Sequence, residues 1–171
     1  RGFLGAVFED YRKILVKRCE QLGYHAEWRL LNASDFGVPQ LRPRVIIVAM
    51  RSDLTSLFSW PAVNEHNPIT VGEAVGDLMS ANGWRGVKRW IDEANEIAPT
   101  IVGGSKKHGG PDLGPSRAKQ AWASLGVNGK TIADEAPEKN YVGMPRLTVP
   151  MVARIQGFPD TWQFTGRKTA A

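Results

Sequence analysis

Phe36-Gly37-Val38-Pro39-Gln40-Leu41-Arg42-Pro43-Arg44, running directly into Val45-Ile46-Ile47-Val48-Ala49-Met50, is the stretch that decides the fold. Its second half is an unbroken apolar run rich in β-branched residues, the pattern of a strand covered on both faces in an α/β sheet. Its first half is stiffened by Pro39 and Pro43 and belongs to a turn-rich segment that begins at Asn32. Arg42 and Arg44 therefore project from a rigid entrance. In extended backbone, residues two apart point the same way, so both guanidinium groups can converge on one anionic or carbonyl-bearing target. Each guanidinium stays charged and carries five donors in a fixed fork, which suits phosphate oxygens and base carbonyls better than lysine does. The plainer alternative is a strand entrance closed by salt bridges.

On the N-terminal side, Leu4, Phe8, Tyr11, Leu15, Cys19 and Leu22 recur at steps of three and four. That is the apolar stripe of one amphipathic helix, stopped by Gly23. Cys19 lies on the stripe and is expected to be a buried core thiol. Trp28 to Leu31 reads as a short strand. Helix, short strand, loop and buried strand make the edge of an α/β domain, with too few strands for a complete one.

On the C-terminal side the texture changes after Arg51. Thr70-Val71-Gly72-Glu73 is a capping box opening a helix through Met79. A second helix is expected after Gly86, a third capped by Ser116 and ended by Gly126, and a fourth capped by Thr148 and running from Val149 to Gln156. Between them, residues 103–115 hold five glycines and two prolines together with Lys106, Lys107 and His108. Trp60, Trp84, Trp90, Trp122 and Trp162 are expected in the core of this part rather than as wedges between bases.

The 171 residues are 42% hydrophobic, which excludes wholesale disorder. Lys and Arg total 22 against 17 Asp and Glu, a formal +5 that permits a polyanionic partner without requiring one. One cysteine excludes an internal disulfide, and His25, His66 and His108 are too scattered for a metal cluster. No apolar run approaches the roughly 20 residues of a membrane span, and no signal-peptide pattern opens the chain. The sequence starts at Arg1-Gly2-Phe3 and stops at Arg167-Lys168-Thr169-Ala170-Ala171, which leads us to expect a piece of a longer protein.

Gln40-Leu41-Arg42-Pro43-Arg44 resembles the Gln-x-Arg-x-Arg motif of DNA cytosine-5 methyltransferases. Arg146-Leu147-Thr148, then Ala153-Arg154-Ile155-Gln156-Gly157-Phe158-Pro159-Asp160, resembles the family's next motif, a helix ending in Gly-Phe/Tyr-Pro that supports the target-recognition domain. Ser52 to Gly143 fills the slot of the variable recognition region. The resemblance implies edge elements of a Rossmann-like, adenosylmethionine-dependent catalytic domain at 1–51. It implies a smaller, mixed target-recognition domain at 52–145, and a supporting helix with the start of the return to the catalytic domain at 146–171. A fold so divided is incomplete on its own.

The activity implied is transfer of a methyl group from S-adenosylmethionine to carbon 5 of a cytosine flipped out of a specific duplex sequence, in restriction–modification. By the same resemblance Arg44 contacts the flipped base, Arg42 supports it near the target phosphate, and Gln40 holds the loop. Ala98-Pro99-Thr100-Ile101-Val102-Gly103-Gly104 resembles the Thr-Leu/Ile/Val dipeptide of the family's recognition loops. Thr100, Gly103, Gly104, Lys106, Lys107, His108 and Arg117 are then DNA-binding candidates, and Lys119 a further phosphate contact. Arg146, Arg154 and Gly157 are expected to support the recognition domain.

The family's Gly-rich cofactor loop, its Pro-Cys nucleophile and its Glu-Asn-Val motif do not occur in this sequence. Arg18-Cys19-Glu20 cannot replace the second of these, lacking the proline and lying in a helix. The chain alone is thus expected to be inactive and to bind no S-adenosylmethionine. Its implied partners are duplex DNA and a catalytic half in cis or as a separate subunit, with no membrane; the implied setting is a bacterial cytoplasm, at the nucleoid. A different class remains open, a non-catalytic DNA-binding specificity subunit of a split methyltransferase. An RNA-modifying relative is a weaker reading, disfavoured by the long recognition insert.

Overall fold

The apolar run at 45–50 forms a strand, and the structure, a computed structural model describing residues 2–64, 67–102 and 111–165, pairs it in a hairpin with the strand before the turn. β1 (Tyr24–Asn32) runs antiparallel to β2 (Pro43–Arg51), with Leu31 opposite Arg44 and Asn32 opposite Pro43. β1 is much longer than the expected Trp28–Leu31 strand. Its first residues carry no apolar alternation and become strand through pairing with Val48–Arg51.

The helix before it is shorter than its stripe suggested. Gly2–Leu4 and Ala6–Phe8 are single 3-10 turns, and the α-helix α1 spans Glu9–Gln21. Gly5 separates the turns, and Arg12 Nη1 donates to the Phe3 and Gly5 carbonyls at 2.5 and 3.0 Å, folding them back onto α1. No residue of α1 is buried, so Cys19 is only half-buried, against expectation. β2 likewise lacks the cover its composition calls for: Ile46 and Ile47 are 41% and 44% exposed. Among the described α-helices, α1 packs on this sheet, through β1.

The main core lies in the second part of the chain. Its helices are α2 (Val71–Met79), α3 (Val87–Glu93), α4 (Ser116–Ala123) and α5 (Val149–Ile155). The capping box of α2 forms as expected. Thr70 Oγ1 accepts from the Glu73 amide at 3.2 Å, and the Glu73 carboxylate accepts from the Thr70 amide at 2.8 Å, which lowers its pKa. The next two amides of α2, Val71 and Gly72, donate to the carbonyls of Glu96 and Ala94, so its N-terminus is closed by the chain leaving α3. Gly72 permits this approach, since a Cβ there would lie 2.6 Å from the Ile91 carbonyl oxygen. At α4 the cap differs from expectation: Pro115 is the N-cap and Ser116 the first helical residue, with no side-chain cap.

Trp90 and Trp122 fill the centre of this core with Val75, Met79, Leu113 and Val127. Leu147, Met151 and Ile155 join the same cluster, so α5 packs into this core. Trp90 and Trp84 donate their indole N–H groups to the Gly126 and Tyr141 carbonyls at 3.2 and 2.9 Å. Two tryptophans depart from the expected core. Trp60 is only half-buried, beneath the Arg29 guanidinium at 5.2 Å, and Trp162 is 57% exposed beside Phe158.

Arg154 ties α5 to two neighbours. Its Nε and Nη2 donate to Asp160 at 2.8 and 2.7 Å, and its Nη1 donates to Asp77 at 2.5 Å and to the Ala74 carbonyl at 3.1 Å. The Arg154 hydrogen bond holds the Asp77 carboxyl below the ordinary carboxylate range, and the two aspartates raise the guanidinium. A depressed carboxyl contributes stability that is complete above its unfolded pKa and is lost as pH falls through the folded one. Asp77→Asn is therefore expected to flatten the acid limb of stability below about pH 4. Thermal unfolding midpoints of variant and parent across the acid range check this; identical acid slopes would remove Asp77 from the balance.

Candidate nucleic-acid interface

The hairpin turn is built from short-range constraints. Ala33–Phe36 is a 3-10 turn, Gly37 takes the left-handed conformation at φ +83°, and Val38 returns its amide to the Ala33 carbonyl at 3.2 Å. Asn32 Oδ1 then accepts the Arg42 amide at 2.9 Å, closing the loop at the last residue of β1. From the sequence Asn32 is expected only as the start of a turn-rich segment; its side chain serves as a turn-opening acceptor, a common device for satisfying backbone donors.

Gln40 is completely buried. Its backbone forms a parallel bridge with Ala98 of the segment that follows α3. Around it, Leu41 donates its amide to the Ala98 carbonyl at 2.7 Å, Ala98 donates to the Pro39 carbonyl at 3.2 Å, and the Thr100 hydroxyl donates to the Leu41 carbonyl. The side-chain oxygen of Gln40 accepts from Arg42 Nη1 at 3.4 Å, a long contact, while its Nε2 has no partner among the described residues. Gly157, at φ +85°, turns the chain after α5 against the same loop, with its Cβ position 3.4 Å from a Val38 methyl. Three segments far apart in sequence thus meet where the two arginines leave the loop.

Arg42 is half-buried and Arg44 exposed; Arg44 Nη1 donates to the Pro43 carbonyl at 2.9 Å. Neither forms an ion pair among the described residues, so the salt-bridged strand entrance is not what is built here. Both keep N–H donors for an outside acceptor.

Of the other candidates, Arg117 is exposed in the first turn of α4, and Arg146 is exposed between buried Pro145 and Leu147. Lys119 is not a free phosphate contact: its Nζ lies 2.5 Å from Asp112, whose side chain is only 8% exposed. That partner arises from folding residues 111–114 over α4, and no local pattern announced it. Gly103, Gly104, Lys106, Lys107 and His108 lie outside the described residues, as does His66.

Among the described residues, the strand ends do not fit the adenosyl cofactor that the sequence resemblance implies. β1 leaves through the 3-10 turn Ala33–Phe36 and β2 through another, Ser52–Leu57, and neither opens a helix from a glycine-rich turn where a nucleoside could sit. No group of three potential metal ligands and no helix long and apolar enough to cross a membrane occurs among the described residues.

The family model for C-5 cytosine-specific DNA methylase matches residues 1–171. The type II methyltransferase M.NaeI of Lentzea aerocolonigenes is 55% identical over 174 residues, covering 99% of this chain and 42% of that protein. M.NgoMIV of Neisseria gonorrhoeae is 46% identical over 172 residues, covering 99% and 54%. M.BspRI of Lysinibacillus sphaericus is 32% identical over 179 residues, covering 92% and 38%. The chain spans about half the length of these curated relatives.

Proposed function

The chain belongs to the C-5 cytosine-specific DNA methylase family, and from that premise we propose that it is the DNA-recognising part of a type II DNA (cytosine-5) methyltransferase acting in restriction–modification. The observation that carries this reading is the pair Arg42 and Arg44, without ion pairs among the described residues and fastened beside the segment at Ala98–Thr100. The methyl donor, S-adenosylmethionine, and the cysteine nucleophile belong in this reading to residues outside the chain, and no step is derived through them.

What the chain's own residues do follows from charge and access. The reacting carbons of a stacked cytosine are out of reach, so the base is extruded. Addition of a nucleophile at carbon 6 drives negative charge onto the ring's O2 and N3 edge. Arg44, exposed and carrying several N–H donors, is the group that meets this charge. Arg42, steadied by its backbone bond to Asn32, serves the neighbouring phosphate. Arg117 neutralises a phosphate in this reading; Lys106 and Lys107 as phosphate contacts, and Gly103, Gly104 and His108 as DNA contacts, rest on the sequence resemblance alone.

The protein expressed from its full reading frame is expected to place label from methyl-labelled S-adenosylmethionine on carbon 5 of cytosine, within one short duplex sequence. The 171-residue chain under the same conditions is expected to incorporate none. Label on adenine or on RNA, no incorporation by the full protein, or robust incorporation by the isolated chain would each overturn the reading.

A further inference from the structure

We propose that Thr100 is a positioning residue, a latch through which the recognition segment sets the place of the arginine loop. The inference rests on the methyltransferase reading above and deepens it. Its basis is a short parallel pairing between Pro39–Leu41 and Ala98–Thr100, two segments nearly sixty residues apart in sequence. Ala98 donates to Pro39, Leu41 donates to Ala98, and Thr100 closes the pairing with its side chain, donating to the Leu41 carbonyl. The next residue on one side of this pairing is Arg42; on the other, Ile101 and Val102 lead into residues 103–110.

The side-chain bond is the telling one. Neither backbone bond involves residue 100, whereas the carbonyl of Leu41, one peptide before Arg42, depends on a hydroxyl there. Ala98 is fully buried and anchored in the main core, so this side of the pairing is fixed. The arginine loop is therefore referenced to the recognition core rather than to the hairpin alone. A displacement of the segment at 101–102 on engaging DNA is transmitted to Arg42 through one peptide unit. The geometry directs the single donor of the Thr100 hydroxyl to the protein rather than to a base edge.

The test compares Thr100→Val, which keeps the shape and removes the donor, with Thr100→Ser, which keeps the donor, in the protein expressed from its full reading frame. Single-turnover methylation and duplex affinity are measured for each, with cognate and scrambled duplexes. Thr100→Val is expected to slow methyl transfer about tenfold with affinity and sequence preference nearly unchanged, and Thr100→Ser to restore the parent rate. In an Arg42→Ala background, Thr100→Val is expected to add almost nothing, because its effect runs through that loop. Loss of sequence preference at an unchanged rate would make Thr100 a direct DNA contact and overturn the latch, as would a parent-like rate in Thr100→Val or full additivity with Arg42→Ala. A parent protein that methylates no cytosine would instead overturn the methyltransferase reading, a separate result.

Discussion

Arg44→Ala is expected to lower the single-turnover rate of methyl transfer about a hundredfold, close to 3 kcal/mol of transition-state stabilisation, while duplex affinity stays near that of the parent. The split follows from where the side chain sits. Arg44 is exposed, and its one described internal bond is to the adjacent Pro43 carbonyl, so its removal costs the fold little. In the proposed reading its donors matter only when charge appears on the extruded base, which happens during the reaction and not on binding. Arg44→Lys keeps the charge but loses the planar fork, and is expected to fall between the two. Rapid-quench methylation and equilibrium duplex binding, measured on the same preparations, check the result. A parent-like rate in Arg44→Ala would return the residue to the strand entrance and nothing more.

The largest stability effect is expected from Trp122→Ala, which should destabilise the protein by about 3–5 kcal/mol. Trp122 is 0% exposed and lies on α4, the helix that joins the loop at Pro111–Gly114 to the remainder of the core. Deleting the indole leaves a cavity between elements with little freedom to collapse, because Gly72 and Gly76 already bring α2 against Ile91. Urea unfolding followed by tryptophan fluorescence and circular dichroism measures the change. A loss below about 1 kcal/mol would mean that α4 is not packed into this core as described.

Local chemistry was legible in the sequence. Thr70 with Glu73, Gly86 before α3 and Gly126 after α4 each state their role within four residues, and each forms the expected boundary. Arg42 and Arg44 could be placed at a strand entrance for the same reason. Features that depend on chain meeting chain could not be read. β1 lengthens because β2 pairs with it, Lys119 finds Asp112 only once the loop folds over α4, and the Leu41 carbonyl becomes an acceptor for Thr100 only when the two parts join. Apolar periodicity also promises burial without naming what supplies it. Cys19, Ile46 and Ile47 have the composition of interior residues, yet the described residues leave them half-covered or exposed.

The hairpin has a consequence for the life of the polypeptide before assembly. Among the described residues β1 and β2 pair only with each other, so each strand presents an outer rim of unused backbone donors and acceptors. On β2 that rim belongs to Val45-Ile46-Ile47-Val48-Ala49-Met50, six apolar residues with no charge or proline among them. Such a segment, left bare, is a template for adding strands from other molecules and growing toward fibrils. Arg44 stands before it as a cationic gatekeeper that opposes stacking of identical copies, while Arg51 at its other end is paired with Asp53. The arginine proposed to meet the flipped base thus also stands guard over the most aggregation-prone stretch of the chain during synthesis, and a neutral residue there is expected to lower solubility.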